Sequence, residues 1–373
     1  MLNNFWNIGF FSEVHDERKM WGFLENKNGL CEIDLTNNNA SIIAIFEEEK
    51  INQYRLFHYI YRMEDELLLL PGTAKSIYLY NLKSKTYKTL DFFGEAAQYN
   101  KKQWGFSACV GYKSKIFFLG CHVPGIVVWE RLNNKMDVLK IPFDEISCEK
   151  TETTGFCADG CIVKDNFLWV ALGCDNVLLK IDMESLEVEC VHIGIPYSGF
   201  GGIGGICDRF WIEDSGDLLF FERNSGKYRS IKICSQKRTQ SFYAPICILN
   251  RVYLFPLYAE KAYVYDVNRD ALSELKAVNE IICKKGRRLS QLTTLGLSVE
   301  NNCISFFSGL DFTWHRFNCV DGTLINTLLK LKENKEYYNR YITNCVQSNT
   351  PIKEGKTFLL TDYLECIKIY SCL

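Results

Sequence analysis

Residues 166–194 read NFLWVALGCDNVLLKIDMESLEVECVHIG. An apolar run of strand length meets a polar break at Asp175 and Asn176. A second run ends in Ile181 and Asp182, a polar turn follows, and a third run ends at Gly194. Aromatic and β-branched runs cut by turn residues at this spacing are strands of an antiparallel sheet.

The same unit recurs along the chain. Its polar anchor, which closes the third strand of each unit, falls at Asp34, Asn81, Glu130, Asp182, Glu222, Asp266 and Asn318, and a truncated copy puts Ser371 in the same place. The steps between anchors are 47, 49, 52, 40, 44, 52 and 53 residues. A period of this length made of short strands is the signature of a β-propeller, in which each unit buries its faces only against its neighbours. The sequence therefore predicts an all-β chain with one propeller domain over residues 1–373. The second strands, such as ELLLLPG (66–72) and KIFFLGC (115–121), are almost continuously apolar. A strand buried on both faces requires that pattern.

The ends set the blade count. Residues 341–373 supply inner, second and third strands but no outer one, and LNNFWNIG (2–9) is a spare strand ahead of FFSEVH (10–15). The expected closure is eight four-stranded blades, with the N-terminal strand completing the last and removing an open edge. The alternative is seven blades with 335–373 as an appendage.

The unit at 166–194 resembles the repeats of YVTN and quinoprotein-like propellers through Asp175, Asn176, Ile181, Asp182 and Gly194. The resemblance implies the fold. Because those families hold binding proteins and redox enzymes alike, it implies no activity. The paired dipeptides of WD40 blades and the tryptophan-docking motif of quinone-dependent dehydrogenases are missing.

Composition excludes some classes. The 373 residues carry a formal charge of −2, which gives no general attraction to nucleic acid or membrane. No apolar run approaches the roughly 18 residues of a spanning helix. MLNNFWNIGFFSEVHDERK has neither a basic leader region nor a small-residue cleavage site, so a cytoplasmic location and a monomer are expected. The 17 cysteines are scattered without a C-x-x-C pair, so no metal and no cofactor is expected. Cys109, Cys161, Cys207, Cys247 and Cys345 recur on the segment before the second strand. There a free thiol serves as a small core residue.

Candidate chemistry is sparse. The five histidines fall at unrelated positions of the repeat; His122, in the loop GCHVPG (120–125), is the one on a face where propellers bind ligands. The anchor carboxylates recur at one fixed position and read as turn-capping groups. GFGGIGG (199–205) precedes no helix, so its glycines are expected to let inner strands pack closely. The loops leading into the inner strands are long and carry aromatics, among them Tyr54, Trp104, Phe106, Phe156, Tyr197, Phe200, Phe242, Tyr243, Tyr338 and Tyr341. Their charge is uneven. Loops 47–55, 91–103 and 144–152 total −4, whereas 235–241, 279–291 and 332–341 total +6 and contribute Arg238, Arg287, Arg288 and Arg340.

These residues predict a non-catalytic protein that recognises an anionic ligand or a protein partner at the mouth of the central channel. The proposed lining is Trp104, His122, Phe156, Tyr197, Phe200, Arg238, Tyr243, Arg287, Arg288, Tyr338, Arg340 and Tyr341. The alternative is a hydrolase or lyase acting on a carbohydrate or peptide at the same face, using His122 with Asp311 or Asp362.

Overall fold

The computed structural model describes residues 8–11, 18–24, 28–50, 53, 56–100, 102, 104–147, 155–194, 199–206, 208–234, 240–283, 297–308 and 313–332. The chain separates into a unit Met1–Lys332 and a second, Glu333–Leu373; the second lies outside the described residues.

Seven antiparallel sheets follow one another along the first unit. Blade 1 holds β1 to β4 (Ile8–Phe11, Lys19–Leu24, Leu30–Asp34, Asn39–Ala44). Blade 2 holds β5 to β8 (Phe57–Met63, Glu66–Pro71, Ile77–Asn81, Thr86–Leu90). Blade 3 holds β9 to β12 (Phe106–Tyr112, Lys115–Gly120, Ile126–Glu130, Lys135–Val138). Blade 4 holds β13 to β16 (Ile162–Lys164, Phe167–Ala171, Val177–Asp182, Val188–His192). Blade 5 holds β17 to β20 (Gly202–Ile206, Arg209–Asp214, Asp217–Glu222, Tyr228–Ile231). Blade 6 holds β21 to β24 (Ile246–Ile248, Arg251–Leu254, Tyr263–Asp266, Ala271–Glu274), and blade 7 holds β25 to β28 (Leu297–Glu300, Cys303–Ser308, Thr313–Asn318, Leu324–Leu328).

The protein is thus a seven-bladed propeller, and the expectation of eight blades is corrected. The sequence was divided between residues 9 and 10, but one strand, β1, straddles that point. It pairs antiparallel with β2 as the first strand of blade 1, so it is not the outer strand of a further blade. A short strand β29 (Lys330–Leu331) follows blade 7 and pairs in parallel with β4, Lys330 opposite Asn39 and Leu331 opposite Ala40. The last blade is therefore stitched to the outer edge of the first. The eighth unit read at 341–373 lies outside the described residues.

Each blade buries both faces, and alternation along one strand explains why the second strands are apolar throughout. In β6, Leu67 and Leu69 join the cluster with Trp21 and Phe23 of blade 1, while Leu68 and Leu70 join the cluster with Ile116 and Phe118 of blade 3. In β14, Leu168 and Val170 face blade 3, and Trp169 packs with Phe210 of blade 5 at 5.0 Å. Burying one such side chain is worth roughly 1.5–3 kcal/mol, and the blade interfaces are made of little else.

All seven anchors end the third strand of their blade. In the Asp and Asn anchors the side-chain oxygen then caps the following turn. Asp182 Oδ1 accepts the N–H groups of Glu184 and Ser185 at 2.8 and 3.0 Å, and Asn81 Oδ1 accepts those of Lys83 and Ser84 at 3.0 and 2.8 Å. Asp34 and Asp266 do the same. The residue four positions after every anchor is left-handed: Asn38, Lys85, Asn134, Leu186, Gly226, Asp270 and Gly322, with φ between 50° and 75°. The structure also contains a helix, α1 (Lys276–Cys283), after blade 6. Val278 is buried on it, and the Asn279 side chain pairs with the backbone N–H and C=O of Ala262.

Of the five cysteines read as small core residues, Cys109 is buried, Cys161 and Cys247 are half-buried, and Cys207 and Cys345 lie outside the described residues. Cys109 lies in β9 and Cys247 in β21, and every cysteine whose side chain is described is a free thiol.

Candidate functional site

On one face of the propeller, the loop joining the second and third strands of a blade meets the segment that leads into a first strand. The backbone makes these contacts. Trp104 N–H donates to the Gly72 carbonyl at 3.1 Å, Phe156 N–H to Cys121 at 2.7 Å, and Phe200 N–H to Leu172 at 2.8 Å. Each bond runs from the lead-in segment of one blade to the loop of the preceding blade. Within blade 3, His122 N–H returns to the Trp104 carbonyl at 3.2 Å, so the two residues are adjacent.

The sequence-nominated residues divide by environment. Phe156 and Phe200 are buried, as are Phe106 and Phe242, and they seal blade against blade. Trp104 and Tyr243 are half-buried and His122 is exposed. Tyr197, Arg238, Arg287, Arg288, Tyr338, Arg340 and Tyr341 lie outside the described residues, as do Asp311 and Asp362.

Trp104 is unusual for its backbone. Its φ is +53°, a region that costs a bulky residue about 1–2 kcal/mol. Three bonds hold it there, through its own N–H, its carbonyl, and Gly105 N–H to the Lys102 carbonyl at 3.1 Å. The indole that results lies 5.1 Å from the ring of His58, tilted 41°. His58 sits on β5, half-buried, with Nδ1 3.0 Å from the Pro71 carbonyl. A carbonyl only accepts, so Nδ1 carries a hydrogen. Sequence reading passed over His58. The available signal was a polar ring in the middle of FHYIYRM, the innermost strand of its blade.

Two acids mark the junctions of blades 4, 5 and 6. Asp159, on the lead-in to β13, exchanges backbone bonds with blade 5: its N–H donates to Gly201 and its carbonyl accepts from Ile203. Its Oδ2 accepts the Ala244 N–H at 3.0 Å, in blade 6. Burial pushes its carboxyl above the usual range, against bonds from Ala244 and Gly160. Glycines permit this convergence. A Cβ at Gly202 would stand 2.7 Å from the Ala244 Cα, and one at Gly204 would overlap the Pro245 carbonyl oxygen. The glycine run is thus a packing seam, as the sequence implied. The second acid is Glu213 on β18, buried and with its Oε2 unbonded.

A cleft of about 360 Å³ opens where loop 144–147 meets the blade 4 loop at Asp175 and Asn176, beside His192. Asp175 closes its floor, Oδ2 accepting Ser147 N–H at 2.8 Å and Oδ1 accepting Asn176 N–H at 2.7 Å. Among the described residues, no group of three or more His, Cys, Asp and Glu is arranged to hold a metal ion. No described helix is long and apolar enough to cross a membrane.

No family model matches the chain, and no curated protein matches it. Solved structures do. The catalytically inactive variant of virginiamycin B lyase from Staphylococcus aureus, with quinupristin, superposes with a TM-score of 0.61 and 17% identity, over 83% of this chain and 94% of that one. A streptogramin B lyase gives 0.54 and 13%, over 86% and 90%. The extracellular domain of a one component system from B. thetaiotaomicron gives 0.57 and 12%, over 88% of this chain and 42% of that one. At these identities the likeness is one of fold.

Proposed function

We propose that this seven-bladed propeller is a non-catalytic binding protein, capturing an anionic ligand or protein partner on the face that carries Trp104. The observation behind this reading is the left-handed backbone of Trp104. Strain of that kind persists where the surroundings over-determine it, and it clusters at ligand-binding positions. Here it presents a half-buried indole beside His58, next to the exposed His122. The anionic preference rests on the +6 total of loops 235–241, 279–291 and 332–341, against −4 for loops 47–55, 91–103 and 144–152. A cytoplasmic setting and a monomer belong to the same proposal. The support for the cytoplasmic setting is the use of free thiols.

The test is thermal-shift titration with inorganic phosphate, an oligogalacturonate and a short polyglutamate peptide. At least one should raise the melting temperature of the wild type, and Trp104→Ala should erase the rise. Absence of any rise, or an equal rise in Trp104→Ala, overturns the reading.

A second reading, a lyase at the same face, is favoured by the match to lyases over nearly their whole length and by the His58 imidazole beside the Trp104 indole. Incubation with quinupristin separates the two. Conversion that disappears in both His58→Ala and His122→Ala supports the lyase, and intact quinupristin supports binding alone.

A further inference from the structure

The junction between blades 5 and 6 is built differently from its neighbours. At the junctions before blades 3, 4 and 5, a backbone carbonyl of the preceding loop takes the lead-in N–H. Blade 5 lacks such a loop. Its second and third strands are joined by Ser215 and Gly216 alone, both left-handed, with φ of 53° and 94°. Among the described residues its carbonyls take no N–H from the blade 6 lead-in. The Glu213 side chain bridges the gap instead, its Oε1 accepting the N–H of Gly216 at 2.8 Å and of Ser241 at 2.9 Å.

The other oxygen is the anomaly. Glu213 Oε2 is buried and has no partner among the described residues. It points at the Cα of Gly201, where a Cβ would overlap it, with the Gln240 stem alongside. Gln240 spends its amide on the Gly201 carbonyl at 3.0 Å. Among the described residues no cation pairs with the carboxylate. Asp214 on the same strand adds like charge, and Cys234 faces Glu213 from the segment after β20. The nearby Lys232 is engaged by Asp217, Nζ to Oδ2 2.5 Å. A buried oxygen that is charged and unbonded is far costlier than a neutral one. Residues 241–244 are held by a second acid as well, through Asp159 and the Ala244 N–H. The segment carries Tyr243 on the face that also presents Trp104.

We propose that Glu213 is a proton-operated latch on the blade 5–blade 6 junction. Neutral, it seats residues 241–244 and holds Tyr243 in place. Ionised, it draws water to Oε2, which enters only if Gln240 and Ser241 move away, so the segment lifts and that side of the face opens. The latch stands whether or not a ligand binds at Trp104. Burial, the leading cause, pushes the carboxyl up from 4.5 to about 7, against the bonds from Ser241, Gly216 and Phe242. The switch therefore falls near neutrality.

Amide hydrogen exchange on the full chain tests this. After correction for intrinsic chemical rates, the opening equilibrium at Ser241 and Ala244 should rise roughly 30-fold between about pH 5.5 and about pH 8. In Glu213→Gln it should stay flat, and in Asp159→Asn the rise should persist. A flat wild type, an equal rise in Glu213→Gln, or loss of the rise in Asp159→Asn overturns the latch. If Glu213→Gln does not fold, infrared titration of the buried carboxyl in the wild type decides. Its midpoint must coincide with the exchange midpoint, and a mismatch overturns the proposal.

Discussion

The rings of Trp104 and His58 lie 5.1 Å apart, centroid to centroid, and belong to different blades. The pairing joins a strained loop residue to the innermost strand of the preceding blade. Two opposing magnitudes then decide what removal of the indole does. Trp104→Gly relieves a left-handed backbone worth about 1–2 kcal/mol and loses packing of a similar size, because the ring is only half-buried. The net change in unfolding free energy should stay within about 1 kcal/mol of zero. Trp211→Ala, at a fully buried position between blades 5 and 6, should cost about 3–5 kcal/mol. Urea unfolding of the two variants checks the contrast. A large loss in Trp104→Gly would mean that the ring is a core residue.

Stability should peak in mildly acid solution. The folded chain keeps the Glu213 proton to about pH 7, while the unfolded chain releases it near 4.5. This contribution is complete below 4.5 and is lost as pH rises through about 7, on the order of 3 kcal/mol in all. Asp34 and Asp182 act in the opposite sense. Bonds from the turns they cap hold their carboxyls below 3.8, the Asn37 side chain leading for Asp34 and the Ser185 N–H for Asp182. Their contribution is present above 3.8 and is lost as pH falls through the lowered values. Melting temperatures across the pH range should therefore pass through a maximum between these limits. Glu213→Gln should flatten only the neutral side.

The glycine seam should tolerate no side chain. In Gly204→Ala the new methyl overlaps the Pro245 carbonyl oxygen, which is backbone and cannot rotate aside. Overpacking of this kind costs about 1–3 kcal/mol or more. Gly226→Ala meets no atom within 4 Å but inherits a φ of +68°, so its smaller loss, about 1 kcal/mol, isolates the backbone effect. Equal losses in the two variants would show that crowding between the inner strands is unimportant.

The third-to-fourth strand turns supply a stabilising change. Lys85 occupies the left-handed position that Gly226 and Gly322 fill in two other blades, at φ 58° and exposed. Lys85→Gly should raise unfolding free energy by up to about 1 kcal/mol, the strain relief exceeding the added freedom of the unfolded chain. A fall in melting temperature would show that this turn is not strained.

How far the sequence could be read depended on whether a feature was set within one repeat. The seven anchors at Asp34 through Asn318 are local, because each sits beside its own turn, and in Asp34, Asn81, Asp182 and Asp266 an oxygen bonds the turn two and three residues on. Spacing alone therefore located the end of every third strand. The glycine seam was legible too, since few other uses exist for GGIGG ahead of a strand. The N-terminal division failed because Gly9 in LNNFWNIGFF reads as a break between strands, whereas pairing with β2 runs one strand through it. Helix α1 was missed although Leu275, Val278 and Ile281 repeat at helical spacing. The outer strand before it carries the same residue types and was read through. Glu213 was hidden differently. It stands one residue before the end of an apolar strand, much as each anchor ends a strand, and nothing in FWIED distinguishes a capping acid from a buried one. His58 required the fold, because its partner Trp104 is fixed by a bond to another blade.

The pairing of β29 with β4 also sets an order of events during synthesis. The outer edge of blade 1 emerges from the ribosome early, yet its partner, Lys330 and Leu331, is made only after seven blades have been translated. Through that interval β4 is an unpaired edge, able to template a strand from a neighbouring nascent chain. The same two-residue stitch that joins last blade to first thus makes the N-terminal blade the one most in need of chaperone cover. On a crowded polysome, the aggregates formed should be rich in chains truncated before residue 330.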